Sequence, residues 1–252
     1  YNNQPADPFF DNSPKFAERP SKVICTGYPF KYNHNAWDPE LDSLTFEWGS
    51  PLININQPII SYAPGYSYNS PLPGTSHNPS NVGASININT GETSFTSYTQ
   101  GAFVTVTKVS SYKCGIKVAE IFREMQIVLI SCGNNGPPSV TAPFTDPITG
   151  LNTLYIDTVW AGEIVNFTLS ANDNDLLPDG TSQTLTISAS GSQFGGGYTS
   201  TTTGCLNPPC ATLNPPPPAT GISNASTNFN WQTTCSHVNT NTGCGVTSNV
   251  YN

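Results

Sequence analysis

The chain has 252 residues, a formal net charge of −8 and only 10% charged residues. It lacks the clustered cations that phosphate contacts require, which argues against nucleic acid as a partner. Its 23 prolines, 21 glycines and many Asn, Ser and Thr residues favour strands and turns over long helices, and no apolar run reaches the ~20 residues of a transmembrane helix.

Residues 1–20 carry prolines and charges without any periodicity, and we interpret them as a connector from a preceding repeat. A first domain of strands is predicted over residues 21–133. Its strand-like runs are short, rich in β-branched and aromatic residues, and bounded by turn formers. They occupy residues 23–25, 29–32, 43–48, 85–89, 94–98, 103–109 and 116–130.

One of these runs and one turn carry the clearest local signals of secondary structure. Residues 43–48 alternate apolar and polar side chains, as a half-buried strand does. Between the last two runs, Cys114 and Gly115 predict a tight hairpin turn with glycine at a positive φ. Residues 50–83, in contrast, are predicted to form a long loop.

Residues 133–138 form the predicted boundary, because their glycines, asparagines and two prolines do not fit inside a sheet. A second domain is predicted over residues 134–252. Its strand-like runs are 154–156, 164–170, 184–190 and 228–232, and we expect a proline-rich loop at 205–218.

The two series repeat each other. Phe30 and Phe167 each precede an acidic loop and a further strand, and Phe95 corresponds to Phe229 in the late aromatic strand. The sequence therefore predicts an all-β chain of two tandem β-sandwich domains. The second series stops before any counterpart of the two long strands at 103–130. We expect this second domain to be truncated at its C-terminus, with an exposed sheet edge.

Two sets of motifs carry a family resemblance. In the first domain they are 25–30, 32–34, 38–44, 101–103 and 118–132; in the second they are 135–138, 161–163, 167–173 and 229–237. These motifs, which cover nearly the whole chain, resemble the tandem repeat modules of giant gliding-motility surface adhesins of Bacteroidota, which are similar to cadherin-like and dystroglycan-type immunoglobulin-like sandwiches.

The resemblance implies two immunoglobulin-like sandwiches in a non-enzymatic structural segment of a large secreted adhesin, involved in gliding motility and surface attachment. It implies export by the type IX system and a place at the cell surface, associated with the outer membrane. The implied partners are neighbouring repeats, the outer-membrane anchoring and gliding machinery, and extracellular surfaces or polysaccharide.

The two acidic loops are candidate calcium sites, since calcium takes six to eight oxygen ligands that closely spaced carboxylates can supply. In the alternative interpretation these side chains cap turns by bonding to the backbone. In cadherin-like relatives, linker residues equivalent to Asn134 and Asn135 complete such sites. The candidate ligands are Asp38, Glu40 and Asp42 in the first loop, and Asp173, Asp175 and Asp179 in the second.

The seven cysteines suggest an oxidising, extracellular setting. Cys25 and Cys132 lie in the first and last strands of one domain, so a bond between them would join its ends. We also expect the pairs Cys205–Cys210 and Cys235–Cys244, which leaves Cys114 over at the hairpin tip. No Cys-x-x-Cys pair supports a zinc site.

Two short sequences, around Ser43 and Thr158, match the Asp-Ser/Thr-apolar pattern that resembles the O-glycosylation signal of Bacteroidota secreted proteins. These two hydroxyls are the candidate attachment points.

Alternative functions remain open at this point. A glycan-binding module would stack sugars on exposed aromatic rings, for which the candidates are Tyr62, Tyr66, Tyr68 and Tyr98. A hydrolase ranks last, because no His-Glu-x-x-His or Gly-x-Ser-x-Gly motif occurs. We expect His34 and His237 to be hydrogen-bonded structural groups.

Overall fold

A computed structural model describes residues 11–18, 23–54, 56–133, 135–177, 179–238 and 248–251. These residues form an all-β structure, as predicted, with two short 3-10 turns. The chain divides into two compact units, Tyr1–Ser131 with Asn241–Asn252, and Cys132–Thr240. Within the described residues no helix has the length and apolar character needed to cross a membrane.

The strands of the first unit follow one another closely, and two of them are far longer than the rest. They are β1 (Lys15–Phe16), β2 (Val23–Cys25), β3 (Pro29–Asn33), β4 (Ala36–Trp37), β5 (Ser43–Trp48), β6 (Leu52–Asn54), β7 (Gln57–Pro58), β8 (Val82–Ile86), β9 (Glu92–Thr96), β10 (Gly101–Lys113) and β11 (Ile116–Ile130).

Two sheets enclose the core of the first unit. One has the order β2-β11-β10-β5 and the other β3-β9-β8, and β2 runs parallel to β11. Phe95 of the smaller sheet and Ile127 and Leu129 of the larger one are buried in one apolar cluster. In this arrangement β5, β10 and β11 correspond to the C, F and G strands of an immunoglobulin sandwich, and β3, β9 and β8 correspond to its B, E and D strands. β2 lies on the outer edge of β11.

The hairpin β10–β11 forms the centre of the larger sheet, between β2 and β5. Lys113 pairs with Ile116, so the loop holds only Cys114 and Gly115. Both residues have positive φ, 51° and 77°. This is the geometry of a type I′ turn, whose twist matches that of the flanking strands, and the predicted tight turn is confirmed.

The described part of the predicted connector, residues 11–18, packs on the first unit. β1 pairs antiparallel with β4. The Phe16 ring lies 3.9 Å from the Arg123 guanidinium of β11, and that guanidinium donates a 2.6 Å hydrogen bond to the Glu18 carbonyl. This segment is therefore integrated into the unit through a strand pair, a stacked cation and a backbone contact.

The second unit has shorter strands and two 3-10 turns. Its elements are β12 (Ser139–Val140), β13 (Phe144–Thr145), β14 (Asn152–Leu154), β15 (Ile164–Asn172), β16 (Thr184–Ile187), β17 (Thr212–Asn214), β18 (Ala219–Ile222) and β19 (Asn224–Gln232), with the 3-10 turns η1 (Gly196–Tyr198) and η2 (Cys235–His237).

The main sheet of the second unit has the order β12-β15-β19-β17, and β16 and β18 form a smaller pair. Along β19 the side chains alternate strictly between exposed and buried, and Phe229 and Trp231 point into the core. Phe167 lies directly opposite Phe229, just as Phe30 lies opposite Phe95 in the first unit. The correspondence inferred from the sequence is therefore a structural one.

A loop over residues 191–211 covers the aromatic strand β19. Phe194 packs edge-on against Phe229, with ring centroids 5.9 Å apart, and the Trp231 indole donates a 2.8 Å hydrogen bond to the Pro209 carbonyl. We call residues 191–211 the cover loop. Residues 205–218 were expected to form a loop throughout, but they contain β17, which joins the main sheet.

The limits of the second domain differ from the prediction of 134–252. Residues 248–251 belong to the first unit and contain no strand. Within the described part of the second unit, β16 pairs with β18 alone.

Candidate cation site

The loop between β4 and β5 buries two carboxyl groups. Asp38 is 3% exposed and Asp42 1% exposed. Asp38 Oδ1 accepts hydrogen bonds from the backbone N–H groups of Glu40, at 2.9 Å, and Asp42, at 3.2 Å. This is an Asx turn, so the first carboxylate caps the loop and at the same time lies beside the second.

Burial is the main cause that raises both pKa values. The pKa of Asp38 rises to about 6, and that of Asp42 rises to about 7 because the neighbouring Asp38 charge adds to the effect of burial. Ionising two neighbouring buried carboxylates at once costs free energy, because they are desolvated and repel each other. Either a proton or a cation relieves this repulsion.

A third carboxyl group joins this pair from the N-terminal segment. Asp11 forms a side-chain hydrogen bond with Asp42. Sequence inspection missed Asp11, because it lies in the connector and no local spacing relates it to the loop. The Asp11, Asp38 and Asp42 carboxyls together are called the acidic cluster below.

Glu40, which the sequence grouped with Asp38 and Asp42, is engaged elsewhere. Its carboxylate accepts hydrogen bonds from the backbone N–H of Asn12, at 3.3 Å, and from the Asn12 side-chain amide. Its longer side chain reaches the exposed N-terminal segment, so Asp11 takes the place expected for Glu40 beside the two buried aspartates.

The acidic cluster offers oxygen ligands suited to a hard cation. Asp38 Oδ2 and Asp11 Oδ1 are both buried and accept no hydrogen bond. As the side chains lie, however, no three His, Cys, Asp or Glu groups within the described ranges are arranged to hold a metal ion. The donor chemistry fits calcium, and binding would require the carboxyl groups to turn toward one another.

The second acidic set is arranged differently. The Asp173 carboxylate accepts a hydrogen bond from the Asp175 N–H at 2.8 Å, and the Asp175 carboxylate accepts one from the Gly136 N–H at 2.6 Å. The exposed Asp179 carboxylate accepts a hydrogen bond from the Thr181 N–H. Asp173 and Asp179 cap their own turns and Asp175 caps the distant backbone at Gly136, so all three carboxylates bond to the backbone, which favours the turn interpretation for this loop.

The linker residue Asn135 is hydrogen-bonded to a residue outside this set. The Asn135 side-chain oxygen accepts a hydrogen bond from the Gln183 amide. Asn134 lies outside the described residues.

The four candidate sugar-stacking tyrosines fall into two groups. The Tyr62 hydroxyl is within 3.0 Å of the Ser50 hydroxyl, and the Tyr66 ring packs against His77 at a centroid distance of 4.2 Å. These two rings are therefore half-buried and engaged with neighbouring side chains. Tyr68 and Tyr98 are 49% and 50% exposed.

The buried histidines are hydrogen-bonded, as expected. His34 Nε2 lies 2.9 Å from the Thr107 hydroxyl, and burial, with a smaller contribution from the Arg123 charge, lowers its pKa to about 4. His237 Nδ1 accepts from the Thr234 N–H at 2.9 Å, so its Nε2 carries the proton and donates to the Asn207 carbonyl at 2.8 Å.

The cysteines differ from the expected pattern in two places. The structure contains the Cys205–Cys210 disulfide, and both cysteines of the predicted Cys25–Cys132 pair are disulfide-bonded. Cys114 is also disulfide-bonded and is not left over. Cys235 is a free, exposed thiol, and its expected partner Cys244 lies outside the described residues.

The two candidate glycosylation sites have different surroundings. Ser43 opens β5, and its hydroxyl donates to the Tyr112 carbonyl at 3.1 Å. Thr158 lies in an exposed irregular segment, where its backbone N–H donates a 2.8 Å hydrogen bond to Asp157 Oδ1. An attached sugar would be accommodated more readily at Thr158.

No protein-family model matches the chain, and no curated protein matches it.

Proposed function

We propose that this chain is a non-enzymatic structural repeat segment of a large secreted cell-surface adhesin involved in gliding motility and surface attachment. One observation carries the proposal. The two units present equivalent cross-strand phenylalanine pairs, Phe30 with Phe95 and Phe167 with Phe229. A sandwich core repeated along one chain is what a spacer requires, since each copy adds length without adding chemistry.

Intact cells of the encoding organism provide the test. An antibody raised against the purified chain is expected to label their outer surface, and deletion of the coding segment is expected to reduce attachment and gliding. Labelling only after the cells are permeabilised, or unchanged attachment and gliding in the deletion strain, would contradict the proposal.

We propose in addition that the acidic cluster is a calcium site. Asp11, Asp38 and Asp42 would hold the ion, whose positive charge offsets the repulsion between the buried carboxylates. Because Asp11 belongs to the N-terminal segment, binding would also tie that segment to the first unit.

The calcium proposal is tested by the melting temperature in calcium and in chelator. Calcium should raise the melting temperature of the wild type by several degrees, because it binds only the folded state, and should have little effect on Asp38→Asn. Asp179→Asn is the matched control, since Asp179 is exposed and bound to Thr181, and it should respond like the wild type. An unchanged wild-type melting temperature would exclude the site.

A second candidate function, glycan binding, is favoured by the exposed rings of Tyr68 and Tyr98. Apolar ring faces of this kind can stack on sugars. Glycan-array binding that is lost in Tyr68→Ala or Tyr98→Ala, and kept in Tyr62→Phe, would favour it over a passive spacer. Absence of binding by the wild type on a broad array would argue against it.

A further inference from the structure

The free thiol of Cys235 begins the 3-10 turn η2, directly after the aromatic strand β19. It is exposed to solvent. The described part of the second unit contains three further cysteines, Cys132, Cys205 and Cys210, and the last two form the disulfide of the cover loop. A free thiol and a disulfide thus occupy one compact unit.

Three hydrogen bonds join the β19–η2 segment to residues of the cover loop that lie between the two disulfide cysteines. The Trp231 indole donates to the Pro209 carbonyl at 2.8 Å, Ser236 Oγ to the Pro208 carbonyl at 3.2 Å, and His237 Nε2 to the Asn207 carbonyl at 2.8 Å.

The consecutive carbonyls of residues 207–209 all lie between the two disulfide cysteines. The two residues that follow Cys235 are therefore hydrogen-bonded to the ring that the disulfide closes.

The two sulfurs of the disulfide are not equally accessible. Cys205 is half-buried, whereas Cys210 is 2% exposed. An incoming thiolate from the solvent-facing η2 turn can therefore approach Cys205 more easily. After the exchange, the buried position would hold a neutral thiol, a common state for a cysteine in a protein core.

We propose that Cys235 exchanges with the Cys205–Cys210 disulfide to form a Cys205–Cys235 bond. The Cys235 thiolate attacks Cys205 Sγ, the Cys205–Cys210 bond breaks, and Cys210 leaves as a thiolate that takes a proton from solvent. One disulfide is broken and one is formed, so the reaction requires no oxidant or reductant. Cys205 must move toward the η2 turn for the new bond to close.

The exchange changes what the disulfide connects. The present bond closes a short ring within the cover loop, whereas the new bond joins that loop to the end of β19 and encloses β17, β18 and β19. The cover over Phe229 and Trp231 is then held covalently as well as by hydrogen bonds. A longer closed loop also restricts the unfolded chain more.

The test maps the disulfides of the purified chain over time. The protein is incubated without reductant at pH 6, 7 and 8, alkylated with N-ethylmaleimide, digested without reduction and analysed by mass spectrometry. We expect label to move from Cys235 to Cys210 while a linked Cys205–Cys235 peptide accumulates. The rate should rise about tenfold per pH unit, because the thiolate is the nucleophile.

Two variants support the assignment. Cys235→Ser should keep the Cys205–Cys210 peptide and show no label at Cys210 at any pH. Ser236→Ala removes one of the three hydrogen bonds and should slow the exchange several-fold in a chain that folds normally. The proposal is overturned if label stays on Cys235 alone at every time and pH, or if the starting protein contains a linked Cys235–Cys244 peptide.

Discussion

Gly91 is required for two reasons, its backbone conformation and its close packing against a core side chain. Its φ is +74°, and a Cβ at this position would lie 2.6 Å from the Phe46 ring. Phe46 is 3% exposed and belongs to the core of the first unit, so its ring cannot simply move aside. The turn at Asn89-Thr90-Gly91 is therefore also a packing contact.

Gly91→Ala is expected to lower the free energy of unfolding of the first unit by about 3 kcal/mol, combining left-handed backbone strain with overpacking. Urea unfolding followed by tryptophan fluorescence measures the change. Gly115→Ala is the matched control, because Gly115 has a φ of +77° but a Cβ added there would meet no atom within 4 Å; it should cost only about 1–2 kcal/mol. Equal losses would show that the Phe46 contact is unimportant.

The buried titratable groups of the first unit have opposite effects on stability as pH changes. The folded-state pKa values of Asp38 and Asp42, about 6 and 7, lie above the ordinary 3.8, so their contribution to stability is greatest below pH 3.8 and is lost as pH rises through 6–7. The folded-state pKa of His34, about 4, lies below 6.5, so its contribution is complete above pH 6.5 and is lost as pH falls toward 4.

Asp42→Asn should separate these effects, since the amide resembles the protonated carboxyl and never ionises. In chelator at pH 8 we expect the variant to be more stable than the wild type by about 2 kcal/mol, and at pH 4 we expect no gain. Denaturant unfolding at both pH values provides the measurement, with Asp179→Asn as the exposed control. A gain of the same size at both pH values would rule out ionisation as its cause.

At the scale of elements, the N-terminal segment behaves as a strand of the first unit. β1 pairs with β4, the Ala17 N–H donates to the Asn35 carbonyl at 2.9 Å, and Phe16 stacks on Arg123. Of these contacts, the one made by Phe16 also inserts a large apolar side chain between the segment and the core cluster of Phe46 and Val109.

Phe16→Ala is expected to lower stability by about 2 kcal/mol, less than for a fully buried phenylalanine because Phe16 is half-buried. Hydrogen exchange at the Ala17 amide should accelerate as the segment detaches. The control is Lys15→Ala, which removes an exposed cation 5.5 Å from the Trp37 ring and should cost about 0.5 kcal/mol. Unchanged exchange at Ala17 would mean that β1 is held without Phe16.

Local sequence patterns were sufficient for some elements and insufficient for others. β5 and β11 lie where the strand-like runs 43–48 and 116–130 predicted them. β17 was missed because it lies among prolines, which normally oppose strand formation. Its backbone is nevertheless satisfied by β19, a partner that no local pattern could reveal.

At the scale of the whole molecule, each unit has its own core and its own phenylalanine pair, with ring centroids 5.2 Å apart for Phe30–Phe95 and 4.8 Å apart for Phe167–Phe229. The apolar clusters are separate as well. One is built around Phe95 and Ile127, and another around Leu185 and Ile187. The repeat is therefore a repeat of cores and not only of sequence.

We expect Phe95→Ala to destabilise the first unit and Phe229→Ala the second, each by about 3 kcal/mol, while the other unit keeps its stability. Hydrogen exchange resolved by peptide measures both units in one experiment. Each variant serves as the control for the other. Loss of protection in both units from either substitution would show that the chain unfolds as a single cooperative body.

The sequence by itself determined the all-β class, the positions of the alternating strands, the hairpin at Cys114 and Gly115, and the equivalence of the two phenylalanine pairs. These features depend on short-range properties, namely turn chemistry and the period-2 exposure of side chains. Only the tertiary structure decided that Asp11 joins Asp38 and Asp42, that Glu40 turns away, and that the cover loop encloses the aromatic strand β19. Burial, pKa values and hydrogen-bond partners depend on which distant segments come together in the fold. The spacing of residues along the chain does not indicate which segments these are.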